Sequence, residues 1–92
     1  MAEFLLEVYA AQSDSQGVDA AARRARAAAQ ALASEGPEVR YVRCIFVPDD
    51  ETCFYVYEAD SVETVHEVAR RAGLPVDRVV EAWSAQEREE DS

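Results

Sequence analysis

The fold is decided by residues 39–58, which read VRYVRCIFVPDDETCFYVYE. Two runs of this stretch, 39–47 and 52–58, are rich in the β-branched and aromatic residues that favour strands. Between them lies Pro48-Asp49-Asp50-Glu51, whose proline and aspartates are typical of a turn. Two strand-like runs joined by a short turn predict a β-hairpin.

The segments on either side of the hairpin complete an alternation of strands and helices. The helix predicted at 18–35 is half alanine, has apolar residues at helical spacing and ends at Gly36-Pro37. In chain order the sequence predicts a strand at 3–9, a helix at 18–35, the hairpin, a helix that is capped by Asp60 and ends at Gly73, and a strand at 76–82. This βαββαβ order is that of a ferredoxin-like α+β domain, in which two helices cover one face of a four-stranded antiparallel sheet.

Length and charge limit both the architecture and the partners. The 92 residues are enough for one domain, predicted at 1–83, and residues 84–92 form an acidic tail that we expect to be disordered. The chain holds 9 basic and 19 acidic residues, a formal charge of −10. Such a charge repels nucleic acid and anionic membrane surfaces, so neither is expected as a partner.

The compartment is inferred from targeting signals and from the cysteines. Residues 1–4 carry no basic region that leads into an apolar core, and no apolar run approaches the roughly 18 residues of a membrane span. We therefore expect a cytoplasmic protein. In that compartment Cys44 and Cys53 are expected to be free thiols rather than a disulfide.

Alternation along the strands assigns residues to the two faces of the sheet. The helix-covered face is predicted to hold Phe4, Leu6, Val8, Val42, Cys44, Phe46, Phe54 and Val56. The opposite face, called the open face below, is predicted to hold Leu5, Glu7, Tyr9, Tyr41, Arg43, Ile45, Cys53, Tyr55 and Tyr57. An aromatic and apolar face of this size seldom stays exposed in a monomer.

Two interpretations of the open face follow. In the first, two copies of the chain pack sheet on sheet as a homodimer, and the tyrosine hydroxyls, Glu7 and Arg43 satisfy one another. In the second, the face encloses a pocket, and the residues predicted to bind a ligand there are Glu7, Tyr9, Tyr41, Arg43, Tyr55 and Tyr57. Both can hold, since two sheets that meet face to face often leave a cavity.

A metal site has few candidate ligands in this sequence. Glu7 among tyrosines can act as a general base, a metal ligand or the partner of an arginine. Cys53 can bind a soft metal as a thiolate or fill space as a small buried hydrophobe. His66 is the single histidine and lies beside the apolar stripe of the second helix. The sequence has no CxxC, no HExxH and no histidine pair, the spacings that are usual in metal centres.

Three stretches resemble one family of small bacterial proteins. They are Phe4-Leu5-Leu6-Glu7, residues 53–59 (CFYVYEA) and residues 72–80 (AGLPVDRVV). Together they resemble the DUF4242 family, which includes a nickel-responsive, nickel-binding protein. The resemblance implies a ferredoxin-like homodimer and Ni²⁺ as cofactor, with Glu7, Cys53 and His66 as the ligand types near matching positions.

The residues and the resemblance predict a small homodimeric binding protein of the nickel-binding type, rather than an enzyme, which holds a metal ion or a small ligand at the open face. The alternative is a dimeric α+β-barrel enzyme, in which Glu7, Arg43 and Tyr55 line a cleft and carry out acid–base chemistry on a small organic substrate. The sequence does not show that the metal ligands converge, because His66 belongs to a helix on the face opposite to that predicted for Cys53.

Overall fold

The computed structural model describes residues 1–83 of the chain. Its elements are, in chain order, β1 (Ala2–Tyr9), α1 (Ser15–Ala33), β2 (Val39–Val47), a single 3-10 turn (Pro48–Asp50), β3 (Thr52–Ala59), α2 (Val62–Ala72) and β4 (Val76–Ala82). The four strands and two helices expected from the sequence are present in the expected order. The predicted disordered tail, 84–92, lies outside the described residues.

The first helix begins earlier than its apolar stripe indicates. The Asp14 carboxylate accepts a hydrogen bond from the backbone N–H of Gly17 at 3.1 Å, so Asp14 is the N-cap and α1 starts at Ser15. A Cβ at position 17 would collide with that carboxylate, so a larger residue there would displace the Asp14 side chain from its capping position. The helix ends at Ala33, two residues before the predicted Glu35.

The second helix is capped by Ser61 and not by the predicted Asp60. The Ser61 hydroxyl accepts a hydrogen bond from the backbone N–H of Thr64 at 3.2 Å. Asp60 assists from one residue away, because its carboxylate accepts a hydrogen bond from the Thr64 hydroxyl at 2.7 Å. The helix ends at Gly73 as predicted, and the φ of 70° at this position is a left-handed conformation that glycine adopts without strain.

The four strands form one antiparallel sheet in the order β2-β3-β1-β4, with β3 and β1 in the centre. Both helices lie on the same face of this sheet, and the buried apolar residues form one cluster between the sheet and the helices. The predicted ferredoxin-like α+β fold is thus confirmed. Neither helix within residues 1–83 has the length and apolar character that a membrane crossing requires.

The core combines small residues of α1 with large rings of β3. Ala25, Ala28 and Ala29 are buried on α1, where short side chains leave room between the helix and the sheet. The rings of Tyr55 and Tyr57 fill this space and are 1% and 0% exposed. The Tyr57 hydroxyl donates a hydrogen bond to the Ala25 carbonyl at 2.9 Å, so the polar end of the ring is satisfied inside the core.

We expect Tyr57→Phe to lower the free energy of unfolding by about 0.5 to 1.5 kcal/mol. The substitution keeps the ring and removes only the hydroxyl that donates to the Ala25 carbonyl. Urea denaturation measures the loss, and Tyr9→Phe is the matched control because Tyr9 is 61% exposed. Equal and negligible effects of the two substitutions would mean that this buried hydrogen bond does not contribute to stability.

Candidate functional site

β3 presents its tyrosines to the helices and not to the open face. In the pairing of β1 with β3, Leu6 lies opposite Tyr55 and Phe4 lies opposite Tyr57. Directly opposed residues share a face of the sheet, and all four of these side chains are buried. Cys53 is buried on the same side of β3. The predicted placement of Cys53, Tyr55 and Tyr57 on the open face is therefore wrong.

Phe54 and Val56 take the open-face positions of β3 instead, opposite Glu7 and Leu5. Their prediction on the helix-covered face is wrong because both sets of side chains in this strand can fill a core. The alanines of α1 favour the tyrosines on the helix-covered face of β3, since small helical residues leave space for large rings. The pairing register shows the correct face, because Leu5 on the open face requires its partner Val56 to lie there too.

A β-bulge in β2 turns Tyr41 towards the helices. Tyr41 and Arg43 pair with successive residues of β3, so Val42 is an extra residue that breaks the alternation. The Tyr41 ring meets the Tyr57 ring edge to face at a centroid distance of 5.7 Å. From α1, the guanidinium of Arg26 lies 5.3 Å from the centroid of the Tyr41 ring. Tyr41 was predicted on the open face, and this prediction is wrong. Arg43 does lie on the open face, as predicted.

The open face is an apolar surface with ion pairs along its margins. Its larger apolar side chains are Leu5, Ile45, Phe54, Val56, Val80 and Trp83. On the β4 side, the Nε of Arg78 donates a hydrogen bond to the Glu7 carboxylate at 3.0 Å. On the β2 side, Arg40 donates to the Glu58 carboxylate at 2.8 Å. Glu7 thus lies on the predicted face, held by an arginine of the neighbouring strand.

A groove of about 270 Å³ lies on the open face. Its apolar lining includes Leu5, Val42, Ile45 and Val56, which corrects the predicted position of Val42 on the helix-covered face. Arg43 and the strongly exposed Trp83 also line the groove. The groove can therefore accept a small molecule with an apolar or aromatic body and a negatively charged group.

The predicted metal ligands Glu7, Cys53 and His66 do not come together. Glu7 lies on the open face, Cys53 is buried under the helices, and His66 is exposed on α2. Within residues 1–83, no three histidine, cysteine, aspartate or glutamate side chains lie close enough to hold a metal ion. The residues of one described chain therefore do not fit a Ni²⁺ site.

The acid–base trio of the alternative enzyme, Glu7, Arg43 and Tyr55, is also divided. Tyr55 is buried on the helix-covered side, and this burial raises the pKa of its hydroxyl far above the ordinary value. Glu7 and Arg43 are both on the open face, but they belong to β1 and β2, which are separated by β3. Tyr55 cannot contact a ligand that is bound on the open face.

The helix-covered side holds a different cluster, made of two thiols and a phenol. Cys44 pairs with Tyr55 and Cys53 pairs with Phe46, so the two cysteines are diagonal neighbours on adjacent strands. Burial raises the pKa of Cys44 to about 12 and also raises the pKa of Cys53. Sequence reasoning missed this cluster because it placed Cys53 and Tyr55 on the other face.

A cleft of about 260 Å³ reaches this cluster from the surface and is lined by both Cys53 and Tyr55. The end of β1, the first half of α1 and the segment 74–75 form its walls. Arg24 of α1 is also part of the lining, and its Nε donates a hydrogen bond to the Ala72 carbonyl at 3.0 Å. The described part of the chain thus has a candidate site on the open face and another on the helix-covered side.

Comparisons with known proteins place the chain in a family. Residues 9–82 match the family model described as nickel responsive protein SCO4226-like. The crystal structure of SCO4226 from Streptomyces coelicolor A3(2) is similar, with a TM-score of 0.68 and 24% sequence identity over 90% of this chain and 99% of that chain. Among curated proteins none matches. The predicted resemblance to a nickel-responsive family is confirmed, and the chain belongs to the SCO4226-like family.

Proposed function

We propose that this chain forms a homodimer through its open face and holds a small ligand in the groove between the two sheets. The observation that carries the proposal is the apolar centre of that face, where Leu5, Phe54 and Val56 lie with no helix over them. Contiguous apolar surfaces of this kind mark interaction sites in soluble proteins. A second copy of the chain offers a surface of the same shape and character.

The small size of the domain supports this arrangement. A chain of 92 residues buries only roughly 60 to 65% of the surface that it exposes when unfolded. Covering the second face of the sheet adds apolar burial, at about 25 cal/mol for each Å² removed from water. Dimerisation therefore stabilises the fold as well as building a site.

The charges of the open face also favour self-association. The chain carries a formal charge of −10, which would oppose contact between two copies if it were spread evenly. The charged residues that pair in register on this face are three acidic and three basic ones, Glu3, Glu7, Glu58, Arg40, Arg43 and Arg78. Because their formal charges cancel, two open faces can meet without net repulsion.

The groove determines the class of ligand in this proposal. Leu5, Ile45 and Val56 offer apolar contacts, Trp83 offers a ring for stacking, and Arg43 offers a guanidinium for an anionic group. In the dimer the groove is covered by the partner, so a bound molecule is removed from water. A small aromatic or aliphatic carboxylate has the chemistry that matches these contacts.

The single tryptophan, Trp83, reports on the proposed dimer. In one chain it is 83% exposed and lies beside the groove of the open face. We expect its fluorescence emission to shift to shorter wavelength as the protein concentration rises, because the second sheet covers the ring. Emission that stays at the wavelength of a solvated indole at every concentration, including those where the mass is that of a dimer, would contradict a sheet-on-sheet interface.

Ni²⁺ is the metal to test, because the family is described as nickel responsive. The described residues give it no ligand set within one subunit, and Cys53 lies on the other side of the sheet from Glu7. We expect Cys53→Ser to leave the affinity for Ni²⁺ unchanged in isothermal titration calorimetry. If the unmodified chain has a stoichiometric Ni²⁺ site that disappears in Cys53→Ser, the expectation that Cys53 is not a Ni²⁺ ligand is contradicted.

A further inference from the structure

We propose that Cys44 and Cys53 form a two-coordinate binding site for a soft monovalent metal ion of the Cu(I) class. The site lies on the helix-covered side of the sheet, away from the groove of the open face. It goes beyond the proposed function and does not depend on it.

The hairpin brings the two thiols together. Cys44 lies opposite Tyr55, and Cys53 lies opposite Phe46, on the same side of adjacent strands. Cys53 and Tyr55 are members of the buried cluster, and Cys44 packs against it. Within residues 1–83 no third histidine, cysteine, aspartate or glutamate joins them in a group able to hold a metal. The site therefore offers two sulfur ligands.

Two sulfur ligands decide which metal fits. Thiolates are soft ligands that favour Cu(I), Zn²⁺ and iron–sulfur clusters, and the number of ligands then separates these metals. A monovalent ion with a filled d shell accepts two thiolates in a line as a complete ligand set. Structural Zn²⁺ takes four ligands, and Ni²⁺ prefers square-planar or tetragonal sets of nitrogen and oxygen, so both would lack ligands at this pair.

The spacing of the two cysteines favours a bridging metal over a disulfide. Diagonal neighbours in an antiparallel pair have Cα atoms about 7 to 8 Å apart. A disulfide usually needs Cα atoms about 4.4 to 6.8 Å apart, so it would require the strands to move. If the metal–thiolate bonds are close in length to the Zn–S bond of about 2.3 Å, the two sulfur atoms can stay about 4.6 Å apart.

The surroundings provide access and charge compensation. The cleft that is lined by Cys53 and Tyr55 gives an ion a path from the surface. Two thiolates around one monovalent cation carry a net charge of minus one. Arg24 lines the same cleft, so its guanidinium offsets this charge, and the Tyr55 hydroxyl can donate a hydrogen bond to a bound sulfur.

Binding is an exchange of protons for a metal ion. Two S–H bonds break, two sulfur–metal bonds form, and two protons leave to solvent, with no change of oxidation state. Burial raises the pKa of the Cys44 thiol to about 12. Because metal binding releases these protons, the apparent affinity should rise with pH.

The test is an anaerobic titration of the full chain with Cu(I), supplied as its acetonitrile complex, in competition with a chromophoric Cu(I) chelator. We expect one Cu(I) for each chain and loss of this binding in Cys44→Ser and in Cys53→Ser alike. Ala27→Ser, on the exposed side of α1, should bind as the unmodified chain does. Binding that survives either cysteine substitution, or that is absent from the unmodified chain, overturns the proposal.

A second measurement does not depend on how well the cysteine variants fold. X-ray absorption at the copper edge of the loaded, unmodified chain should show two sulfur neighbours. Nitrogen or oxygen neighbours in place of the sulfurs would overturn the site. The Val56→Arg variant, designed to disrupt the open face, should bind Cu(I) as the unmodified chain does, so failure of the dimer and failure of the thiol site can be told apart.

Discussion

Val56→Arg is expected to be a monomer at concentrations where the unmodified chain is a dimer. Val56 lies on the central strand β3, opposite Leu5 on one side and Arg43 on the other. In a sheet-on-sheet dimer the new guanidinium would be buried beside Arg43, and the Glu58 carboxylate of the same strand is already paired with Arg40, so the burial costs several kcal/mol. The free energy of association of a dimer with micromolar affinity is about 8 kcal/mol, so a burial cost of several kcal/mol is enough to dissociate it. Light scattering after size exclusion should give 10.2 kDa instead of twice that mass.

Val62→Arg is the matched control for this substitution. Val62 is 37% exposed at the start of α2, which lies on the helix-covered side of the sheet. The same change of valine to arginine is therefore expected to leave the dimer intact. If Val56→Arg also keeps the mass of a dimer, the open face is not the interface, and the proposed function fails with it.

Leu6→Ala is expected to lower the free energy of unfolding by about 2 to 5 kcal/mol. Leu6 is 0% exposed on the central strand β1, between Tyr55 of β3 and Val79 of β4. The substitution removes apolar contacts and leaves a cavity that the backbones of the paired strands cannot close. Urea denaturation in the Val56→Arg background measures the loss in the monomer, where dissociation does not contribute.

Leu5→Ala in the same background is the control, because Leu5 precedes Leu6 in β1 and faces the other way. Leu5 is only partly buried in a single chain, so its loss in the monomer should be clearly smaller than that of Leu6→Ala. In the dimer-forming background, Leu5→Ala should instead weaken association. Equal losses for the two substitutions in the monomer would contradict a sheet that is covered by helices on one face only.

The fold was predictable because each signal for it is local. The hairpin at 39–58 follows from strand propensity on both sides of a turn, and Gly73 marks the end of α2 by its own conformation. The predicted starts of the two helices were less accurate than the predicted order of the elements. At α1 the cap depends on contact between Asp14 and Gly17, and at α2 Ser61 and Asp60 are both acceptable capping residues in the sequence.

The candidate sites were predicted less well because they depend on which face a strand presents. In β3 both alternating sets are apolar or aromatic, so alternation could not choose between Tyr55 and Val56 for the open face. The choice comes from the alanines of α1, which leave space for tyrosine rings, and this is a tertiary effect. The bulge at Val42 has no glycine to mark it, so the reversal at Tyr41 was not readable from the sequence.

Sedimentation equilibrium of the unmodified chain, from low to high micromolar concentration, tests directly whether the open face forms a dimer. We expect a single species of twice 10.2 kDa at the upper end of this range, which dissociates reversibly on dilution. A mass of 10.2 kDa throughout would contradict it, because the apolar centre of the open face would then stay in water.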